Sequence, residues 1–154
     1  MLLEYALTHP TAHDPTRANP SDAGLDVRYS PSPSELHKAA SIGPGESKIL
    51  PTGLRFGVPH GYMLEVKNRS SVAAKRSLLV GACVIDSGYD GEVFISLHNV
   101  GNITQTIEAG MKIAQVVMVP VVHFRAIERI DGELYEYPIT MSGRGAGTLG
   151  STGE

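Results

Sequence analysis

Tryptophan is absent from this 154-residue chain, and cysteine occurs once. A lone Cys83 excludes an intramolecular disulfide and fits a reducing compartment. It stands between Ala82 and Val84 in an apolar run, where interior packing is its default role. No run of about 18 apolar residues occurs, so no membrane-spanning helix is expected. The opening residues, Met1-Leu2-Leu3-Glu4-Tyr5, lack the basic start and long apolar stretch of a secretory leader. A cytoplasmic setting is expected. Positive charge is not in excess either. Thirteen Lys and Arg stand against 16 Asp and Glu, a net charge of −3, which excludes a global basic field for nucleic acid.

What is abundant is Gly (17) and Pro (10), spread along the chain, which implies many turns and short elements. The length fits one domain with a core of its own. The dominant period is two. Leu54, Phe56 and Val58 alternate with Arg55 and Gly57. Tyr62, Leu64 and Val66 alternate with Met63, Glu65 and Lys67. Val93, Ile95 and Leu97 alternate with Phe94, Ser96 and His98. These are strands with one face on a core. Turn clusters at 43–45, 59–61, 99–102 and 108–110 separate them. Val116 to Val122 is almost wholly apolar and predicts a strand buried on both faces, with an edge or a bulge at Pro120. Two segments suggest helix: a short turn over 34–40, and the stronger 70–76, capped by Ser70 or Ser71. The pattern predicts an all-β sandwich or jelly roll, a distorted barrel with one short helix. From Ser142 the chain is Gly-rich and nearly free of large apolar side chains. We therefore expect a β domain over 1–141 and a mobile arm over 142–154.

Several segments carry chemistry. In Val-Ile-Asp-Ser-Gly-Tyr-Asp-Gly-Glu-Val, residues 84–93, Asp86 ends an apolar run beside a tight turn and Tyr89. Acid–base work and simple turn capping both fit it. Asn68-Arg69-Ser70-Ser71 ends a strand and opens the helix. It is a phosphate site in outline, or a capped helix with an exposed Arg. The tail 145–150 matches G-x-G-x-x-G literally, but no strand precedes it and no helix follows, so it is not a dinucleotide fingerprint. It can wrap a polyphosphate with backbone amides, or be a plain tail. His9 and His13 have no metal-site partner and are assigned to solvent. Gln115 is the one polar residue among apolar neighbours, and if buried it must find partners.

Five segments, taken in order, resemble the motifs of the trimeric dUTP diphosphatase (dUTPase) family: Ala23-Gly24-Leu25-Asp26; Arg69-Ser70-Ser71 with Lys75; Gly81 to Glu92; Gly110 to Gln115; and Arg144-Gly145 through Thr152-Gly153. The resemblance runs from about residue 20 to the end. It implies a jelly-roll homotrimer with active sites shared between subunits, hydrolysing dUTP to dUMP and pyrophosphate with Mg²⁺. In that reading Asp86 orients and deprotonates the water that attacks the α-phosphorus. Tyr89 lies against the deoxyribose. The hairpin Gly81, Ala82, Cys83, Val84 and Ile85 reads the uracil edge. Arg69, Ser70, Ser71 and Gln115 hold phosphates. Arg144, Ser151 and Thr152, with Gly150, close over the γ end. Asp26 supports the site through a metal-bound water. No nucleic-acid or membrane partner is implied.

Three residues depart from the family pattern. Ser71 stands where Gly is usual, Cys83 where a small residue is common, and Leu149 where an aromatic residue covers the uracil. A phosphoryl-transfer site works mainly by positioning and charge neutralisation, which these groups supply. A dCTP deaminase and a non-catalytic nucleotide-binding or signalling module on the same fold remain alternatives.

Overall fold

The structure, a computed structural model, describes residues 1–132 and 134. Two units are distinguished, Met1–His123 and Phe124–Glu154. The expected boundary between 141 and 142 falls outside the described residues.

The first unit carries every described strand: β1 (Glu4–Leu7), β2 (Leu25–Arg28), β3 (Ala40–Ile42), β4 (Ser47–Pro51), β5 (Leu54–Gly57), β6 (Tyr62–Lys67), β7 (Leu78–Val80), β8 (Val84–Asp86), β9 (Phe94–Asn99), β10 (Gln105–Ile107) and β11 (Lys112–Pro120). One sheet runs β2-β11-β6-β8 and another β4-β9-β7; β1 pairs with β5 and β3 with β10. Every pairing is antiparallel. This is the expected all-β jelly roll with, among the described residues, a single short α-helix, α1 (Ser70–Arg76).

Alternation is the reason. Leu54, Phe56, Leu64, Val66, Ile95 and Leu97 are buried, while their odd-phase neighbours face outward. They join Ile42, Leu50, Leu78, Ile107 and Ile113 in one core. The one buried Asn, Asn99, is fully occupied. Its Nδ2 donates to the carbonyls of Ile42 (2.9 Å) and Ile103 (2.8 Å), and its Oδ1 accepts from Gly101 N–H (3.0 Å). That pins the turn that follows β9.

Four expectations need correction. The apolar run 116–122 is not buried on both faces: Val117 and Val119 are half-buried and Val122 is exposed, because β11 has only one face on the core. Pro120 ends β11, and Val121 N–H bonds to Gly61 O beyond it. The turn over 34–40 shrinks to one 3-10 turn at Pro33–Glu35, since Ala40 is taken into β3. Helix α1 spans the expected residues, but its N-cap is Arg69, without a side-chain cap bond, rather than Ser70 or Ser71. Cys83 is exposed rather than packed inside, because it lies in the turn between β7 and β8 and not in a strand.

In the second unit, Arg129 pairs with Asp131 at 3.0 Å, and Gly132 N–H closes a turn on Arg129 O at 3.0 Å. Among the described residues no helix is long and apolar enough to cross a membrane.

Candidate functional site

Strand pairing assembles the first cleft. Asp26 on β2 stands opposite Gln115 on β11, and Gln115 stands opposite Lys67 on β6, just before the chain turns into α1. The ladder between β11 and β2 slips at Ile113. Ile113 and Ala114 are therefore both buried, and alternation shifts by one. The slip places Lys112 on the Gln115 side of the strand rather than in the core.

A cleft of about 320 Å³ results, lined by Gly24, Asp26, Arg69, Ser70, Ser71 and Gln115 among others. Arg69 Nε donates to Asp26 Oδ1 at 2.6 Å, and Lys112 Nζ donates to Oδ2 at 2.7 Å. Burial alone would raise the Asp26 pKa, but these two cations outweigh it and hold the carboxyl below its usual range. Asp26 thus fixes Arg69 and stays charged. Gln115 Nε2 donates to Asn68 O at 2.9 Å, leaving one amide hydrogen for a ligand. Its Oε1 lies against Gly24, where a Cβ would come within 2.2 Å. Only glycine leaves that side chain its place.

The second cleft, about 250 Å³, is lined by Val84, Ile85, Asp86, Tyr89, Glu92, Val93 and Phe94. Asp86 ends β8 opposite Met63, with an exposed side chain. Among the described residues no cation or side-chain donor engages its carboxylate. The next turn bonds Tyr89 N–H to Asp86 O at 3.2 Å and needs a positive φ, +90°, at Gly88. Tyr89 Oη donates to Glu92 O at 2.8 Å and lies over Gly91, where a Cβ would meet it at 2.4 Å. Glu92 Oε1 in turn accepts from Gly53 N–H at 2.8 Å, tying the loop to the β4–β5 connection. Val84, Tyr89 and Phe94 leave apolar surface around the acid, each being about half exposed.

The chain thus brings Asp26, Arg69, Ser70, Ser71 and Gln115 together, and brings Val84, Ile85, Asp86 and Tyr89 together. It does not merge the two groups. Their anchor points on β6, Lys67 and Met63, are four residues apart, about 13 Å, and the partner strands that carry the two groups, β11 and β8, flank β6 on opposite edges. Gly81, Ala82 and Cys83 form the turn that leads into β8, all exposed. Arg144, Leu149, Gly150, Ser151 and Thr152 lie outside the described residues. A wider cleft of about 600 Å³ lies beside β1 and β5, but no expected site residue lines it.

Sequence reasoning placed Asn68 and Lys112 inside candidate segments, 68–71 and 110–115, but gave neither a role of its own. The signal for Lys112 was its place three residues before Gln115, legible only if the slip at Ile113 is known. His9 was assigned to solvent, yet it is half-buried, with Nε2 3.3 Å from Ser30 O. Among the described residues no group of three His, Cys, Asp or Glu is placed to hold a metal ion.

A family model described as dUTPase matches residues 10–152. The deoxyuridine 5'-triphosphate nucleotidohydrolase of Chlamydia trachomatis serovar L2 is 33% identical over 142 residues, covering 91% of this chain and 90% of the relative. A Staphylococcus bacteriophage 80alpha dUTPase, solved with dUpNHpp, superposes with a TM-score of 0.81 at 24% identity, covering 99% of both chains. A mutant dUTPase from phage phi11 of S. aureus, described as coordinating a structural Mg(II) ion, superposes with a TM-score of 0.73 at 23% identity, covering 84% of this chain and 97% of that one. At those identities the two structures speak to the fold.

Proposed function

The chain belongs to the dUTPase family, and from that premise we propose that it hydrolyses dUTP to dUMP and pyrophosphate. The observation that carries the reading is the chemistry of the two clefts. One offers a fixed guanidinium, two hydroxyls and an amide donor, a set suited to phosphate. The other offers an unpaired carboxylate beside an aromatic ring. Asp86 takes a proton from water as the water oxygen bonds to the α-phosphorus. The bond from that phosphorus to the bridging oxygen breaks, and pyrophosphate leaves. Tyr89, held by Glu92, lies against the sugar. The hairpin Gly81 to Ile85 reads the base. Arg69, Ser70, Ser71 and Gln115 hold the phosphates, and the arm 142–154 closes over them with Arg144, Leu149, Gly150, Ser151 and Thr152.

The donor set fits Mg²⁺ held mainly by phosphate oxygens and water, since no protein cage exists among the described residues. Asp26, whose two oxygens already accept from Arg69 and Lys112, would at most accept a further hydrogen bond from such a water. Bound there, the ion neutralises phosphate charge.

We propose a homotrimer with shared sites, a reading that the separation of the clefts supports. The Asp86 cleft of one copy faces the phosphate cleft of another, and Val84 and Phe94 supply apolar surface for that contact. A cytoplasmic setting is part of the proposal, supported by a lone cysteine that has no disulfide partner within the chain.

The experiment is pyrophosphate release from dUTP, dCTP, dTTP and UTP with Mg²⁺. Release from dUTP alone is the expected outcome. Ammonia release from dCTP, or dUTP binding without turnover, overturns the reading. Mixing Asp86→Asn chains with Arg69→Ala chains tests the shared site: hybrid trimers regain activity that neither parent shows.

A further inference from the structure

The turn from β7 to β8 passes from one sheet to the other. Strand β7 pairs with β9, and β8 pairs with β6. Each wall of the turn has a main-chain anchor: Gly81 N–H bonds to Ser96 O at 2.9 Å, and Val66 N–H bonds to Cys83 O at 2.7 Å. The floor has no main-chain anchor from β6, because that strand ends at Lys67 and the chain turns into α1. At that gap Asn68 substitutes its side chain for the missing strand: its Oδ1 accepts Val80 N–H at 2.7 Å. The same residue's carbonyl accepts Gln115 Nε2 at 2.9 Å, and its neighbour Arg69 is held by Asp26.

We propose that Asn68 is a positioning residue that sets the height of the hairpin 81–83 against the sheets and so sharpens its choice of base. This rests on the reading that the hairpin reads the base. An oxygen acceptor is needed at this place, because an unbound Val80 N–H would let the floor of the turn move away from β6. In this role Asn68 acts through Val80 and Gly81.

The test compares kcat/KM for dUTP and dCTP in the full chain, in wild type, Asn68→Ala and Asn68→Asp. The ratio of the two substrates cancels any effect on the shared triphosphate, including the charge that Asp introduces. Asn68→Ala is expected to lower the dUTP:dCTP ratio about tenfold, and Asn68→Asp, which keeps the acceptor, to restore most of it. Amide hydrogen exchange over 80–83 should quicken in Asn68→Ala and slow again in Asn68→Asp, a readout independent of activity. An unchanged ratio or unchanged exchange in Asn68→Ala overturns the proposal, even if its melting temperature falls. A wild type with no preference for dUTP instead overturns the base-reading role of the hairpin, and the exchange measurement still decides whether Asn68 holds it.

Discussion

Asp26 and Asp86 are two aspartates on one four-stranded sheet with opposite surroundings. Asp26 sits on β2, with a side chain only 13% exposed and a cation on each oxygen. Asp86 ends β8 in the open, its carboxylate bound by no side chain among the described residues. The first is a fixed charge that holds Arg69 and Lys112 in place. The second is free to meet a water. Fixed charge suits the holding of phosphate, and an unpaired acid suits proton transfer, so in the proposed reaction the two environments would divide the labour.

Substitutions at either end sharpen or break that contrast. Asp86→Asn is expected to lower kcat about 10²- to 10⁴-fold while dUTP still binds, as measured by pyrophosphate release and equilibrium titration. Comparable turnover in the mutant would move the chemistry elsewhere. Asp26→Asn should act mainly on stability. It removes one charge facing two cations, at a cost of about 2 kcal/mol, below the figure for a fully buried pair, because Arg69 and Lys112 keep 25% and 27% exposure. Urea unfolding reads it, and KM should rise with it as Arg69 loses its anchor.

The pH dependence of that loss follows from the sign of the shift. The folded Asp26 pKa is depressed, so its contribution is present above the unfolded value, near 3.9, and is lost as pH falls through the folded value. The stability gap between wild type and Asp26→Asn should therefore close below about pH 4. A gap that persists in acid would mean the ion pairs are not its source.

Gly24→Ala comes next. The new Cβ displaces Gln115, and KM is expected to rise about tenfold with kcat little changed. Ser71→Gly should have the smallest effect, a change of KM within about threefold, because Ser71 Oγ meets Arg69 only at 3.5 Å. A larger effect would mean that its hydroxyl carries more of the phosphate grip than Arg69 and Ser70 do.

Much of this was legible in the sequence where period two is clean. The strands around Leu54, Leu64 and Ile95 and the helix 70–76 needed only local pattern. Strands β3, β7 and β10, three residues each, are too short for alternation to show. The motif residues of both clefts were legible as chemistry. Their division into two separate clefts was not, since it depends on which strands flank β6. Cys83 was misread because an apolar neighbourhood in sequence says nothing of a turn that crosses between sheets. Asn68 reads only as the first residue of the segment 68–71, and its hold on Val80, 12 residues on, shows only in the fold.

The slip at Ile113 carries a constraint on how this chain can vary among descendants. Exchanges of one apolar residue for another along β11 alter fit by degrees. Loss or gain of one residue there turns Lys112 to the opposite face and leaves Asp26 with one cation. The number of residues between Gly110 and Gln115 should therefore be held more strictly than their identities.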